Sequence, residues 1–511
     1  MIRVVPWKRC TSDRVVIADK SSRLLARTSA LDAAGDHDNA ARLLEQFLRR
    51  EPWHAEATVR LATMEMARQD NQAATRRLER LLRVKPDLAD AQATLATVYL
   101  AGHRVEDALA CALRMVGSRP RDPWALVILA RAHLERGGPG AAQAALEAAD
   151  RLNPSVIEQA EIQFELGRVA ESQGYFQECI AHFRRSTSLA PDLIHAHQSL
   201  GMALLRMGCF QEGWREHEWR RRSGRFKATM PPAPPEFYWN GKEDLVGQFI
   251  YITYEQGAGD AILFFRYVPL VKARGARVVY GATEALAPLF AGAVPGVQVV
   301  AKTTDALRIN YLCSAMSLPA AFGTTLATIP ATVPYLRADP ERVARWAPRL
   351  AGQAGHRVGL AWSGSPANPD DSRRSIAAAL FLEIATVPNI AFCSLQYEVR
   401  ESDRPALEAN SAVARVGEAV QDFADVAAII DQLDLVIAVD TAIAHLAGAL
   451  GKPVWILLPF VSDWRWFTGR DDSPWYPTAR LFRQEAAGEW RPVIARVKAM
   501  LERSHSKSAE P

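Results

Sequence analysis

Leu433–Pro459 reads LDLVIAVDTAIAHLAGALGKPVWILLP. The run Leu435–Val439 has the length and β-branched content of a buried parallel strand. It stops at Asp440-Thr441. Ala442 to Leu450, rich in Ala and Leu, predicts a helix. Gly451 ends that helix and Pro453 keeps it from restarting. Val454–Leu458 predicts a second buried strand. A strand–helix–strand unit places a short turn at the carboxyl end of its first strand, where open α/β sheets bind ligands. Anions favour the helix N-terminus that begins at Thr441, and His445, four residues on, projects from the same face.

The same alternation extends to both sides. Phe249–Thr253 predicts a strand that runs into Glu255-Gln256-Gly257-Ala258-Gly259-Asp260 and then into a helix over Ala261–Lys272. Strands follow at Arg277–Tyr280 and Val297–Val300. A second set comprises Arg357–Trp362, Ile390–Leu395 and Val413–Val416, followed by the two strands already read. Alternating strands and helices predict parallel sheets. The turn at Gly257 and Gly259 lacks the third glycine of a dinucleotide fingerprint, so a tight strand-to-helix connection accounts for it as well as a ligand does. Asp260 at the helix start suits a general base facing a cleft, and equally a helix cap. Ser363-Gly364-Ser365 follows a strand and can offer N–H groups to phosphate. The stretch from Asp370 to Ile376 supplies Arg373 and Arg374, either as an anion site or as a solvated loop of mixed charge. Gln396, at the end of a strand, is a candidate for nucleoside contact. A satisfied buried histidine is the alternative reading of His445. Trp464, Trp466, Trp475 and Tyr476 are open between stacking on a ligand and filling the core.

The N-terminal half is a repeat array. Prolines fall at 52, 86, 120, 154 and 191, with spacings of 34, 34, 34 and 37. A 34-residue helix–turn–helix repeat is the tetratricopeptide period. Small residues recur at one internal point (Ala62, Ala96, Ala130, Gly167, Gly201) and twelve residues later (Ala74, Ala108, Ala142, Cys179, Gly213). Breakers recur between helices at Gly35, Gly102, Gly137-Gly138-Pro139, Gly174 and Gly208. About six repeats are expected between Ser21 and Arg222, with the three extra residues after Pro154 lengthening one turn. Such solenoids leave a concave surface for a partner. Asp36-His37-Asp38 has the form of a metal-binding DxD but sits in an inter-helix turn, where Asp is selected for local hydrogen bonds. GWREHEWRRR, from Gly213, reads as a final amphipathic capping helix, and the prolines at 231, 232, 234 and 235 predict a stiff polyproline connector.

Six segments carry a resemblance to bacterial proteins that join tetratricopeptide repeats to a glycosyltransferase-like domain. That domain is similar to the lipopolysaccharide heptosyltransferases and, more distantly, to protein O-GlcNAc transferase. The segments are EQGAGDAILFFRYVPLV from Glu255, GLAWSGSP from Gly359, DDSRRSI from Asp370, CSLQ from Cys393, VDTAIAHLAGALGKPVW from Val439 and DWRWFTGRDDSPWYPTARLFRQ from Asp463. The resemblance implies a GT-B architecture of two Rossmann-like lobes, with the acceptor facing the first and a nucleotide-diphosphate sugar held by the second. It implies Asp260 as the catalytic base of a metal-independent, inverting transfer. It implies donor contacts from Gly257, Gly259, Ser363, Gly364, Arg374, Gln396, Asp440, Thr441 and His445. The last helix, Trp490 to Arg503, is expected to pack back on the first lobe. Where the family carries Pro after the Ile and Gly two residues after the Asp, this chain has Ala377 and Ala442.

The expected organisation of the 511 residues is an N-terminal extension (1–20), the repeat solenoid (21–222), a Pro-rich linker (223–240), an acceptor lobe (241–345), a donor lobe (346–503) and a disordered tail (504–511). With 61 basic against 57 acidic residues, the small net charge argues against nucleic acid as the main partner. The scattered cysteines, without a C-x-x-C pair, read as reduced thiols of a cytoplasmic protein. The N-terminus has no apolar h-region, and no run reaches the ~18 residues of a membrane span, so membrane contact is expected to be peripheral at most. No metal and no cofactor are expected beyond the nucleotide sugar itself. The expected function is a glycosyltransferase whose repeats recruit a protein or peptide acceptor, or an envelope glycan. The rival is a catalytically inactive scaffold that assembles protein partners. A chain cut near Ser223 is expected to keep all donor chemistry.

Overall fold

The computed structural model describes residues 20–33, 36–231, 233–301, 309–350, 355–366, 368 and 370–506. Residues 1–19 of the expected extension, Gly35, Pro232 and residues 507–511 of the expected tail lie outside them. The chain divides into two compact units. One holds the helices up to Ala203 together with Trp219–Ala228; the other holds Leu204–Glu218 and everything from Thr229 onward.

The first unit is a tetratricopeptide-type α solenoid. Helices come in antiparallel pairs, beginning with Lys20–Ala33 and His37–Arg50 and repeating through Val156–Ser172 and Phe176–Leu189. The recurring small residues sit where paired helices meet: Ala62, Ala74, Ala96, Ala108 and Ala142 are fully buried. At Gly167 a Cβ would stand 2.5 Å from the Phe183 ring, so glycine is selected by the aromatic packed on it. The three extra residues after Pro154 fall in a helix: Val156–Ser172 has 17 residues against 13 in Ala55–Ala67. Asp36 caps the helix His37–Arg50 by accepting from Asn39 N–H, and Asp38 pairs with Arg68, which accounts for the DxD of the sequence.

The second unit contains two parallel sheets. We number the strands β1 (Phe249–Thr253), β2 (Arg277–Gly281), β3 (Gln298–Val300), β4 (Tyr311–Ser314), β5 (His356–Ala361), β6 (Ile390–Ser394), β7 (Val413–Arg415), β8 (Leu435–Val439), β9 (Val454–Leu458) and β10 (Ala479–Arg483). The first sheet has the order β3-β2-β1-β4 and the second β10-β9-β8-β5-β6-β7. In the second sheet the connections run one way from β5 and the other way from β8. The boundary between these two strands is therefore a topological switch point, the place where open sheets hold ligands. The corresponding boundary in the first sheet lies between β1 and β4, and a hydrogen bond from Ser314 to Glu255 spans it at 2.7 Å.

Three local expectations are corrected. The last helix, Trp490–Ser506, packs on β10 and on the segments Ala378–Phe381 and Leu382–Thr386, all in the second lobe. Val493, Val497 and Leu501 are fully buried there, and the helix continues through residues 504–506 of the expected disordered tail. The Pro-rich connector is partly folded, with a helix at Gly224–Thr229, a 3-10 turn at Pro235–Phe237 and Tyr238 bridged to Leu312 of β4. The expected helix Ala261–Lys272 is broken into Ala258–Phe265 and Val268–Ala273, because Pro269 ends one helix and starts the next. Among the described residues no helix is long and apolar enough to cross a membrane.

Candidate functional site

β5 and β8 end side by side at the switch point, and the segments leaving them are tied together. Ser363-Gly364 leaves β5, and Asp440-Thr441 leaves β8 into the helix Ala442–Ala449. Arg374, on the short helix Asp371–Arg374, links the two by donating to the Asp440 carbonyl at 2.9 Å. Its guanidinium lies flat against Gly364, where a Cβ would stand 2.4 Å from Nη2. Asp371 beneath it is 6% exposed and accepts from Ser375 and Arg400, so the mixed-charge segment is anchored on a buried carboxylate.

Several polar atoms here are buried without a hydrogen-bond partner: Ser363 Oγ, Thr441 Oγ1 and Arg374 Nε, the last 3.8 Å from Asp371 Oδ1. Thr441 stands at the N-cap of its helix yet makes no side-chain cap bond, which leaves its hydroxyl and the helix N-terminus together. Other groups are occupied. The Ser363 N–H donates to Gln396 Oε1 and the Gly364 N–H to Ser375 Oγ. The Gln396 amide group donates to the carbonyls of Ser363 and Glu398. The side chain of Gln396 therefore braces the β5 turn, and the two amides expected to face phosphate are spent within the chain.

The first lobe meets this place through its Gly-rich turn. Gly257, Gly259 and Asp260 lie at the start of the helix Ala258–Phe265, which packs on the helix Ala442–Ala449. His445 is 5% exposed; its Nδ1 is 3.0 Å from the Tyr476 hydroxyl and its Nε2 is 3.7 Å from Asp440 Oδ1. The ring stacks on Trp466 with centroids 5.2 Å apart. Burial and the nearby Arg465 push its pKa down to about 3, so the imidazole is neutral. Burial, reinforced by Asp463, pushes Asp440 up to about 6.

Asp260 accepts from the Gly257 N–H at 3.2 Å and forms an ion pair with Arg465. It thus caps its helix and pairs with an arginine of the second lobe at once. Burial raises its pKa, and the Arg465 cation opposes that rise. Arg465 is 6% exposed and also pairs with Asp463 at 2.8 Å. It lies over the Trp464 ring at 4.4 Å. Nothing local in the sequence assigns Arg465 a role, because its partner Asp260 is 205 positions away. An arginine enclosed by Trp464 and Trp466 was the available signal. Trp464, Trp466, Trp475 and Tyr476 themselves are core, each at most 2% exposed. The turn ends at Phe467 with φ 56° and ψ −163°, a region that costs a non-glycine residue on the order of 1–3 kcal/mol and persists only under strong packing.

Of the residues singled out in the sequence, Gly257, Gly259, Asp260, Gly364, Arg374, Asp440, Thr441 and His445 converge on one region. Ser363 and Gln396 shape its wall.

Residues 33–87 and 129–193 match tetratricopeptide-repeat families, and residues 419–458 match glycosyltransferase family 9 (heptosyltransferase). The latter match contains β8, Asp440, Thr441, His445 and β9. The chain is 30% identical to Protein FlbA of Caulobacter vibrioides over 360 residues, which are 65% of this chain and 59% of that protein. It therefore spans about three-fifths of the length of the curated relative it matches. Among solved structures, a thermophilic tetratricopeptide protein of Thermus thermophilus is 23% identical, covering 36% of this chain and 98% of that one, with a TM-score of 0.33. MamA of Desulfovibrio magneticus is 20% identical, covering 34% of this chain and 98% of that one, with a TM-score of 0.28. The chain thus carries tetratricopeptide repeats in its N-terminal part, and residues 419–458 of its second lobe are similar to glycosyltransferase family 9.

Proposed function

We propose that the chain is a GT-B glycosyltransferase that moves a sugar from a nucleotide-diphosphate donor to an acceptor recruited by the repeats. The observation that carries this reading is the set of buried groups without a hydrogen-bond partner at the β5/β8 switch point: Ser363 Oγ, Thr441 Oγ1 and Arg374 Nε beside a helix N-terminus. A buried polar atom without a partner costs about 1–3 kcal/mol, and a diphosphate supplies acceptors to all of them. Arg374 and the helix N-terminus offset charge on the departing nucleotide diphosphate without a metal ion.

The acceptor hydroxyl oxygen attacks the anomeric carbon while the bond from that carbon to the diphosphate oxygen breaks. Asp260 takes the hydroxyl proton, and the nucleotide diphosphate leaves with the bonding electrons. Attack opposite the leaving group inverts the anomeric centre. The concave face of the repeats favours a protein or peptide acceptor over an envelope glycan. The scaffold reading is favoured by one observation: Asp260 already holds two partners and His445 is enclosed. A thermal-shift panel of nucleotide-diphosphate sugars on the full chain decides between them. At least one sugar nucleotide raises the melting temperature in a concentration-dependent way on the transferase reading. A panel with no response at millimolar ligand favours the scaffold.

A further inference from the structure

The helix Phe210–His217, last of the repeat pattern, belongs to the same compact unit as the two sheets. Its aromatic face is buried against the turn that carries Arg465. Trp214 meets Trp464 edge-on with centroids 5.3 Å apart, and Phe210 meets Phe467 at 5.9 Å. The Trp214 indole N–H donates to the Thr324 carbonyl at 2.8 Å, and Arg206 donates to the Ser462 carbonyl at 3.1 Å. Phe467, the residue in strained backbone geometry, is the one that Phe210 covers.

We propose that this helix is a working part of the candidate active site: it holds the turn Ser462–Phe467, and the turn's Arg465 fixes the Asp260 carboxylate. The assignment rests on the transferase reading, in which Asp260 is the base. Arg465 is a positioning residue. It touches Asp260 and Asp463, and no other cation makes an ion pair with Asp260 among the described residues. Its guanidinium is held from three sides. Asp463, the N-cap of the Trp464–Trp466 turn, accepts from both its backbone and its side chain, and the Trp464 and Phe264 rings lie 4.4 and 5.5 Å away. The groups around Asp260 are Arg465 and Asp463 from this turn, Arg374 from the segment after β5, His445 against Gly259, and Asp440 beyond it. The turn's own backbone does not hold it, since it ends in a conformation that phenylalanine rarely adopts. The covering face of Phe210 and Trp214, joined by Arg206 from the end of the preceding helix Ile194–Arg206, supplies that restraint.

The test uses the full chain labelled with ¹³C at the aspartate side-chain carboxyl, with the Asp260 resonance assigned by its loss in Asp260→Asn. Its titration midpoint is read in wild type, Arg465→Met and Arg465→Lys. We expect Arg465→Met to raise the midpoint by a unit or more, a tenfold gain in proton affinity, and Arg465→Lys to return most of the shift. Trp214→Leu and Phe210→Leu should each raise it by less and speed hydrogen exchange in residues 462–468. Either variant suffices if the other does not fold. An unmoved midpoint in Arg465→Met overturns the role of Arg465. Unchanged exchange at 462–468 in a folded Trp214→Leu or Phe210→Leu chain overturns the role of the helix. No donor enters the measurement, so a failure of the transferase reading shows separately, as the absence of sugar-nucleotide binding.

Discussion

The imidazole of His445 lies directly on Gly259: a Cβ at that glycine would stand 2.8 Å from the ring's Cδ2 and 3.6 Å from the Cα of Ala442. This is where the Gly-rich turn of the first lobe meets the strand-end helix of the second. The ring has no room to retreat, because Tyr476 holds its Nδ1 and Trp466 stacks on its face.

Gly259→Ala should therefore destabilise the chain. In an open helix the change would be favourable by about 1 kcal/mol. Here the overlap dominates, and forced packing of this kind costs about 1–3 kcal/mol. A lowered urea midpoint at unchanged slope is the expected result. A midpoint at or above wild type would mean that the two helices move apart freely.

The neutral state of His445 gives a pH test. Its folded pKa of about 3 lies below the ordinary value near 6.5, so between them the unfolded chain binds a proton that the folded chain does not. The associated stability is complete above pH 6.5 and is lost as pH falls toward 3. Asp440 has the opposite sign: its folded pKa of about 6 exceeds the ordinary 3.8, so its contribution is lost as pH rises between those values. The two slopes oppose each other from about pH 4 to 6. His445→Asn removes the first and leaves the second. The variant's stability, relative to wild type, should fall with rising pH by about 1.4 kcal/mol per unit over that window. Urea unfolding at pH 4, 5 and 6 measures it; parallel curves for the two proteins would show that His445 is not buried neutral.

Asp260→Asn keeps the hydrogen bond from the Gly257 N–H but removes the charge that pairs with Arg465. Turnover should fall about 10²-fold or more, with donor affinity retained. Unchanged turnover in a transfer assay would leave Asp260 as a helix cap alone.

Much of this region is legible in the chain because its signals are local. The apolar run Leu435–Val439, the stop at Asp440-Thr441 and the breaker Gly451-Lys452-Pro453 specify strand, turn and helix within twenty residues. The 34-residue period exposes the repeats for the same reason. β4 and β10 carry no such signal, because Tyr311–Ser314 and Ala479–Arg483 contain none of the β-branched residues that mark the other strands. The Arg465–Asp260 pair escaped because nothing local links positions 205 apart. The occupied amides of Ser363 and Gly364 escaped because their partners, Gln396 and Ser375, are set by tertiary register.

The boundary for truncation also moves. A chain starting near Ser223 keeps every residue assigned to donor contact but loses Arg206, Phe210 and Trp214. These share a buried environment with the turn at Trp464–Trp466. Loss of one large buried aromatic costs about 3–5 kcal/mol, so this form should melt well below the full chain or fail to fold. A chain starting near Pro191 keeps the helices Ile194–Arg206 and Phe210–His217 and should retain donor binding while losing transfer to the native acceptor. Equal melting of the two truncated forms, by circular dichroism, would show that the helix Phe210–His217 is dispensable.

On the proposed function, the β5/β8 switch point holds a nucleotide-diphosphate sugar through Arg374, Thr441 and the helix N-terminus. The most direct measurement is isothermal titration of the sugar nucleotide that gives the largest thermal shift, into wild type and Arg374→Met, with and without EDTA. Binding should be indifferent to EDTA and weakened at least tenfold in Arg374→Met, about 1.4 kcal/mol or more. Equal affinity in the two proteins, or binding that requires a divalent metal, would contradict it.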